Sequence, residues 1–141
     1  MNEIAKRYAE LDRYNEAAVL GEDAIRADCL IAFPYAHPET AAEIAVETDE
    51  FTAVCPWTGQ PDFGTVRLRY LPRERLLELK SFKYYLLSYR SVGIVQEHVA
   101  ARMLADLVGV LEPERLTLTL DYKERGGIHT VVTVSHPEGA R

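Results

Sequence analysis

The period of the hydrophobic pattern constrains the fold of this chain more than any other feature of its sequence. Alternation is clearest at 115–123, where leucines and a tyrosine alternate with threonines and an aspartate. Segments 43–53, 63–71 and 128–134 alternate in the same way. A period of two is typical of half-buried strands, so we predict four of them. The glycine-rich sequence at 124–127 predicts a turn that joins the last two into a hairpin.

Two helical runs separate the second and third of these strands. Apolar residues recur at helical spacing from about Pro72 to Arg90, and again from Val95 until Pro113 stops the run. The predicted order is strand, strand, helix, helix, strand, strand. It indicates an α+β fold in which an antiparallel sheet carries a helix pair on one face. The other face must be solvated, packed against a partner or closed by assembly into a barrel.

With 141 residues, the chain suits one domain that has its own core. We predict an N-terminal arm at 1–42, a single folded domain at 43–135 and a tail at 136–141. The arm contains a weak helix at 2–11 and a proline-rich loop at 33–40. The sequence shows neither a membrane-spanning apolar run nor a secretion signal, which favours a cytoplasmic protein without a membrane partner.

The net charge of -6 conceals an uneven distribution along the chain. Residues 1–50 carry twelve acids and four bases, whereas residues 67–90 carry seven bases and two acids. An acidic protein with one basic segment is a poor candidate for direct nucleic-acid binding and a better one for a small phosphorylated ligand. The alternative is a solvated surface whose charges pair with the acidic arm.

The loop at 54–64 joins the first two predicted strands and contains a thiol and a carboxyl, Cys55 and Asp62. Its prolines and glycines continue neither a helix nor a central strand, so these groups should lie at a rim of the sheet. A thiol there can attack an electrophilic carbon while a nearby carboxyl transfers the proton. The alternative is that Cys55 is a small buried apolar residue, which is our interpretation of Cys29. Both are expected to be free thiols.

A compact polar group, Gln96, Glu97 and His98, lies at the predicted start of the second helix. A carboxylate at a helix start usually interacts with the free amides of the first turn. In a pocket, the same carboxylate can accept the paired N–H donors of a guanine-like base. Both interpretations of Glu97 stay open at this point.

A second polar group, Lys80, Lys83 and Tyr84, can converge on one patch of the first helix. The patch is either solvated surface or a site for phosphates. No glycine-rich phosphate loop is present, so a dinucleotide would have to be held by side-chain charge. The histidines and cysteines lack close ligand spacing, and we predict no metal site.

Together these segments resemble a known enzyme family. The sequence Glu-Leu-Lys-Ser-Phe-Lys-Tyr-Tyr at 78–85 is similar to the signature of NADPH-dependent 7-cyano-7-deazaguanine reductases, the nitrile reductases of queuosine biosynthesis. The loop at 55–63 is similar to their active-site loop. The resemblance covers about 51–134 and includes 88–90, Glu97 and 125–128. It implies the tunnelling fold (T-fold), assembled as a homo-oligomeric ring with sites between subunits, and the length resembles the single-module branch.

Carried over to this sequence, the resemblance implies covalent catalysis. Cys55 would add to the nitrile carbon to form a thioimide, and Asp62 would donate the proton. Glu97, with Gln96 and His98, would bind the deazaguanine. Two hydrides from NADPH would then take the thioimide through an imine to the aminomethyl product. The other residues implied are Leu77, Glu78 and Leu79 for the substrate pocket, and Lys80, Ser81, Lys83, Tyr84 and Arg125 for NADPH.

One position departs from the pattern of that family. Many members have a histidine directly before the glutamate, where this chain has Gln96, and here a histidine follows at His98. Adjacent helix positions point about 100 degrees apart, so the departure bears on a second proton-transfer role. Two alternatives are a related enzyme that adds ammonia to the captured nitrile without NADPH, and a non-catalytic purine or pterin binder. The intact Lys-Ser-Phe-Lys segment favours the reductase.

Overall fold

The computed structural model describes residues 2–16 and 19–139. Positions 1, 17 and 18 of the predicted arm and positions 140 and 141 of the predicted tail lie outside the described residues. The helices and strands, in chain order, are α1 (Glu3–Glu16), β1 (Ala32–Pro34), β2 (Ile44–Val54), β3 (Pro61–Leu71), β4 (Arg75–Leu77), α2 (Leu79–Leu87), α3 (Gln96–Leu111), β5 (Arg115–Tyr122) and β6 (Val131–His136). Over the described residues, no helix has both the length and the apolar character needed to cross a membrane.

The four long strands form one antiparallel sheet in the order β2-β3-β5-β6. Successive residues of a strand point to opposite faces. In β3, Val66, Leu68 and Tyr70 are buried in the core, whereas Arg67 and Arg69 lie on the other face and pair with acidic side chains. The alternation predicted for this strand is therefore confirmed, and the sheet has one apolar face and one polar face.

Helices α2 and α3 cover the apolar face of the sheet. Helix α2 contacts β2, and α3 contacts β5 and β6. In α3, Val99, Met103, Leu107 and Leu111 are almost completely buried, at the spacing of four that places residues on one helix face. The stripe predicted for α3 is therefore confirmed as core. In α2, Phe82 and Leu86 are buried as well, but Leu79 is 58% exposed, so the prediction is wrong at that position. Along the chain, the two helices lie between β3 and β5, as the sequence pattern predicts.

Helix α2 is shorter at both ends than its sequence pattern indicates. The residues before it form β4, which pairs antiparallel with β1. The Leu77 N–H donates to the Tyr70 hydroxyl oxygen at 3.0 Å, which ties this segment to β3. The predicted helix from about Pro72 to Arg90 is wrong at both ends, because strand pairing removes its first residues and a turn follows Leu87.

The final strand begins at Val131 and not at Ile128, because the turn after β5 is wider than predicted. In this turn, Arg125 and Ile128 exchange backbone hydrogen bonds with N···O distances of 3.0 and 3.1 Å. Gly126 and Gly127 have φ angles of 61° and 77°, which side chains strongly disfavour. The predicted turn at this position is confirmed, and it presents Arg125 at the same edge of the sheet as the loop between β2 and β3.

The N-terminal segment divides into an exposed helix and a part that joins the core. Helix α1 includes the predicted helix and extends to Glu16, and its apolar side chains Ile4 and Tyr8 are exposed. Farther along, Ile25 and Leu30 are buried among the side chains of the main core. The division of the chain at residue 42 stays a prediction.

Candidate active site

A closed turn joins β2 to β3 and carries Cys55 at its start. The Cys55 N–H donates to the Gln60 carbonyl at 2.9 Å, and the Gly59 N–H donates to the Cys55 carbonyl at 2.8 Å. Gly59 has a φ of 68°, in the left-handed region that favours glycine. The predicted loop at 54–64 is confirmed for residues 55–60 only, because Val54 ends β2 and residues 61–64, with Asp62, belong to β3. The shorter loop holds its shape through backbone hydrogen bonds.

The segment just before α3 fixes the base of this turn. The Val54 N–H donates to the Val92 carbonyl at 3.0 Å, and the Ile94 N–H donates to the Val54 carbonyl at 3.1 Å. Gly93 lies between them, and a Cβ there would be only 3.3 Å from the Cα of Pro56. A residue without a side chain permits this close approach. The Cys55 turn and the start of α3 are thereby held side by side.

The turn, the start of α3 and the connection between β5 and β6 surround a cavity of about 530 Å³. Pockets for small molecules measure roughly 300 to 1,000 Å³, so the volume suits a ligand of that class. The cavity brings together residues that the sequence predicted as catalytic, substrate-binding or cofactor-binding: Cys55, Asp62, Gln96, Glu97, His98 and Arg125.

The Cys55 thiol is 7% exposed, and its sulfur accepts hydrogen bonds from the turn itself. Burial raises the pKa of this thiol. Hydrogen bonds from the Thr58 hydroxyl, from the amides of Thr58 and Trp57 and from Arg125 lower it, and the result is a pKa of about 7 compared with an ordinary 9.0. Much of the sulfur is therefore thiolate at neutral pH, which is the nucleophilic form.

Asp62 lies at the start of β3, is 6% exposed and forms an ion pair inside the cavity. The Arg125 Nη1 donates to the Asp62 Oδ1 at 2.9 Å, and Arg125 also hydrogen-bonds to the Cys55 sulfur. One guanidinium thus contacts both residues predicted as catalytic. Sequence reasoning assigned Arg125 only to the cofactor, and that role stays a prediction. In the sequence, the glycine pair after Arg125 predicts a turn at the end of a strand, and this is the one indication that Arg125 lies at the edge of the sheet.

The first turn of α3 supplies the third side of the cavity. Its N-cap residue, Val95, offers no side-chain hydrogen bond to the helix. Glu97 lies in this first turn, where a negative charge is favoured by the helix dipole. Gln96, Glu97 and His98 all line the cavity, so the histidine after the glutamate reaches the same space as the glutamine before it. Glu97 and His98 are exposed enough to meet a ligand.

The other predicted site residues lie around the start of α2 and are called the α2 group below: Leu77, Glu78, Leu79, Lys80, Ser81, Lys83 and Tyr84. Leu79 and Lys83 line a separate cavity of about 220 Å³ between α2 and β2. Lys80 and Tyr84 are exposed, with the Lys80 Nζ 6.0 Å from the centroid of the Tyr84 ring. Leu77 is buried in the core. Within this one chain, no residue of the α2 group lines the cavity that contains Cys55, and the ligand contacts of the α2 group stay predictions.

Two residues of the α2 group hold the helix start together. The Glu78 carboxylate accepts hydrogen bonds from the amides of Lys80 at 2.9 Å and Ser81 at 2.7 Å. The buried Ser81 hydroxyl donates to the Glu78 carbonyl at 2.7 Å and accepts from the Ile31 N–H at 3.0 Å. In a single chain these side chains therefore have structural partners, and their contacts with substrate or NADPH stay predictions.

Substituting Glu78 by glutamine should destabilise the fold in a pH-dependent way. Hydrogen bonds from the amides of Ser81 and Lys80 lower the pKa of Glu78 below its ordinary 4.5. A carboxyl with a lowered folded-state pKa contributes stability above the unfolded value and loses it as the pH falls through the folded value. We expect Glu78→Gln to lower the melting temperature at pH 7, and the difference from wild type to shrink below pH 4.5.

The control for this measurement is Glu74→Gln, which changes an exposed glutamate on the same segment. Thermal unfolding of both variants, followed by circular dichroism across the acidic range, separates a cap from a general effect of charge. A difference for Glu78→Gln that is constant with pH would contradict the cap.

The remaining candidates for chemistry give no second reactive centre in the described part of the chain. Cys29 is a half-buried free thiol at the end of a short 3-10 turn. Among the described residues, His, Cys, Asp and Glu side chains form no cluster of three or more that could hold a metal ion.

Comparison with solved structures shows a similar fold. The crystal structure of the archaeosine synthase QueF-Like in the apo form superposes with a TM-score of 0.62 at 25% identity, covering 66% of this chain and 91% of that one. Its similarity extends over the mixed α and β architecture with an antiparallel sheet described above.

Comparison with protein families and curated sequences is more specific. The family model described as QueF-like protein matches residues 61–141. A protein of Caldicellulosiruptor bescii is 45% identical over 127 residues, covering 89% of this chain and 97% of its own length. A protein of Anaeromyxobacter sp. strain K is 53% identical over 109 residues, covering 77% and 89%. Both carry the name NADPH-dependent 7-cyano-7-deazaguanine reductase. By its sequence, then, the chain belongs to the QueF-like family.

Proposed function

We propose that this chain reduces the nitrile of 7-cyano-7-deazaguanine to the amine of 7-aminomethyl-7-deazaguanine with two NADPH, in the biosynthesis of queuosine in tRNA. The observation that carries the proposal is Cys55, a buried thiol with a pKa of about 7 in a ligand-sized cavity that also contains Asp62. The names of the curated relatives support the substrate and the cofactor. The same cavity offers groups for capture of the nitrile and for recognition of the base.

The first step is capture of the nitrile on sulfur. The Cys55 thiolate adds to the nitrile carbon, so that a C–S bond forms and one π-electron pair of the C≡N bond moves to nitrogen. Asp62, which takes up the thiol proton, returns it to that nitrogen and completes a thioimide. Asp62 lines the same cavity as the thiol, which suits it to this proton transfer.

Recognition of the base falls to the first turn of α3. Glu97 has a carboxylate that can accept the paired N–H donors of the deazaguanine ring. Gln96 and His98 line the same cavity and can add hydrogen bonds to the ring edge. A ring bound there can direct its nitrile toward the neighbouring Cys55 turn.

The residues that suit NADPH belong to the α2 group. Lys80 and Lys83 are exposed cations, which fit the phosphates of a dinucleotide, and Tyr84 lies beside Lys80. NADPH would supply the hydrides that reduce the C=N bond. Because no residue of the α2 group lines the Cys55 cavity in one chain, we infer that the complete site lies between two copies, in a cytoplasmic T-fold ring of identical subunits.

The test combines the purified protein with 7-cyano-7-deazaguanine and NADPH. We expect oxidation of two NADPH per nitrile consumed, which balances the four electrons that separate a nitrile from a primary amine. In the absence of NADPH, intact-mass spectrometry should detect the protein with one substrate added and nothing lost. Absorbance and mass together measure the two halves of the reaction.

The same mixture distinguishes two other functions. An adduct that forms without NADPH oxidation, and that releases an amidine when ammonia is added, would assign the chemistry of amidine formation. Binding without adduct or oxidation would assign a non-catalytic purine or pterin binder. Either result would overturn the reductase proposal.

A further inference from the structure

The Thr58 hydroxyl has a defined orientation in the Cys55 turn. Its oxygen accepts a hydrogen bond from the Gln60 N–H at 3.2 Å. A hydroxyl has one hydrogen to donate besides its acceptor lone pairs. The Thr58 side chain is also hydrogen-bonded to the Cys55 sulfur, and because a thiolate can only accept, the hydroxyl is the donor.

Backbone groups complete the same arrangement around the sulfur. The amides of Trp57 and Thr58 also hydrogen-bond to the Cys55 sulfur. The turn that carries them is closed at both ends, by Cys55 N–H to the Gln60 carbonyl and Gly59 N–H to the Cys55 carbonyl. Donors held in this way cost no reorganisation when charge develops on the atom they face. The turn therefore directs two backbone amides and one hydroxyl, that of Thr58, at the sulfur, and these donors can stabilise a negative charge on it.

We propose that Thr58 is a further catalytic residue, whose hydroxyl binds the negative charge of the Cys55 sulfur. It would act twice. Before attack it holds the sulfur as thiolate. After the first hydride addition, the C–S bond breaks, its electron pair returns to sulfur, and the nitrogen lone pair forms the imine C=N bond; Thr58 then donates to the departing thiolate. The second role rests on the proposed reductase function, but the first requires only the free protein.

Other charged groups face the same cavity and define what the Thr58 hydroxyl contributes. Arg125 contacts the sulfur directly, and Lys123 lines the cavity on the same connection. Asp62 pairs with Arg125, while Glu97 and His98 line the cavity from α3. These groups stay unchanged when Thr58 alone is substituted, so a change in the behaviour of the thiol in such variants reports the hydroxyl.

The test measures the rate of Cys55 alkylation by iodoacetamide as a function of pH. The background is Cys29→Ala, which leaves one thiol in the chain. Alkylation follows the thiolate fraction. We expect the midpoint of alkylation to lie near pH 7 in the parent protein, which keeps Thr58. Thr58→Val and Thr58→Ala should raise this midpoint by about one pH unit, and Thr58→Ser, which keeps the hydroxyl, should leave it near pH 7.

These outcomes separate the proposal from the reductase function. If the midpoint in both Thr58→Val and Thr58→Ala equals that of the parent, the proposal is overturned, whatever the protein does with NADPH. A raised midpoint in both, reversed by serine, supports it even if the parent does not reduce the nitrile.

In an active parent, Thr58→Val should also lower kcat several-fold with little change in KM, because α3 and not the turn binds the base. Thr58 is exposed, so these substitutions leave the core intact.

Discussion

The variant Cys55→Ala is expected to lose both the covalent adduct and NADPH oxidation. Without the sulfur, no bond to the nitrile carbon forms, and the hydride step then meets an unactivated C≡N bond. We expect turnover to fall by roughly 10⁴-fold or more, the scale seen when an enzyme loses its nucleophile. Intact-mass spectrometry with 7-cyano-7-deazaguanine and the absorbance of NADPH measure the two losses on one sample.

The matched control is Cys29→Ala, which removes the other thiol of the chain. Cys29 lies in a short turn outside the cavity lining, so this variant should form the adduct and oxidise NADPH at the parent rate. A Cys55→Ala protein that still consumes NADPH with the nitrile would remove the covalent mechanism. An adduct found on Cys29 would do the same.

The strands were predictable because their signal is local. In β3 and β5, every second side chain is buried, so the burial pattern repeats the alternation in the sequence. A shift of one residue in the pairing register would turn every apolar side chain of the strand to the polar face, so the sequence pattern specifies which face of each strand is buried. The stripe of α3 carries the same kind of information at a period of about 3.6 residues.

The start of α2 was not predictable because its determinants are distant in sequence. Residues 75–77 carry leucines that continue the helical pattern, yet they pair with β1. The Tyr70 hydroxyl accepts the Leu77 N–H, and the Glu78 side chain caps the first amides of the helix. Glutamate is not a favoured N-cap residue, so its sequence context gave no such indication. Tertiary hydrogen bonds outweigh the local helical preference at this point.

The candidate site divides in the same way between local and distant information. Cys55 and Asp62 were expected together because one loop carries both, and Glu97 because it precedes an apolar stripe. The contact of Arg125 with both catalytic candidates joins two connections that are far apart in sequence. The donors of the Thr58 turn depend on backbone geometry, which residue types alone do not specify.

The ion pair between Asp62 and Arg125 links proton transfer to charge in the cavity. Arg125 donates to the Asp62 Oδ1 at 2.9 Å and is hydrogen-bonded to the Cys55 sulfur, so one cation faces both groups between which the proposed step moves a proton. When the nitrile nitrogen takes its proton, the negative charge of the sulfur is consumed in the new C–S bond. In the proposed step, Asp62 holds the thiol proton and delivers it to this nitrogen.

Asp62→Asn is therefore expected to slow reduction far more than it weakens binding. Asparagine keeps an oxygen that can accept from Arg125, but it can neither take up nor deliver a proton. We expect kcat to fall roughly 10²-fold to 10⁴-fold, the usual contribution of a positioned acid or base.

Binding is measured with the amine product, which has no nitrile to capture, through the fluorescence of Trp57. This residue is the single tryptophan of the chain and lines the cavity. Asp49→Asn, on the exposed part of β2, is the matched control. Equal losses of product binding and turnover would assign Asp62 to ligand binding, and unchanged turnover would exclude it from proton transfer.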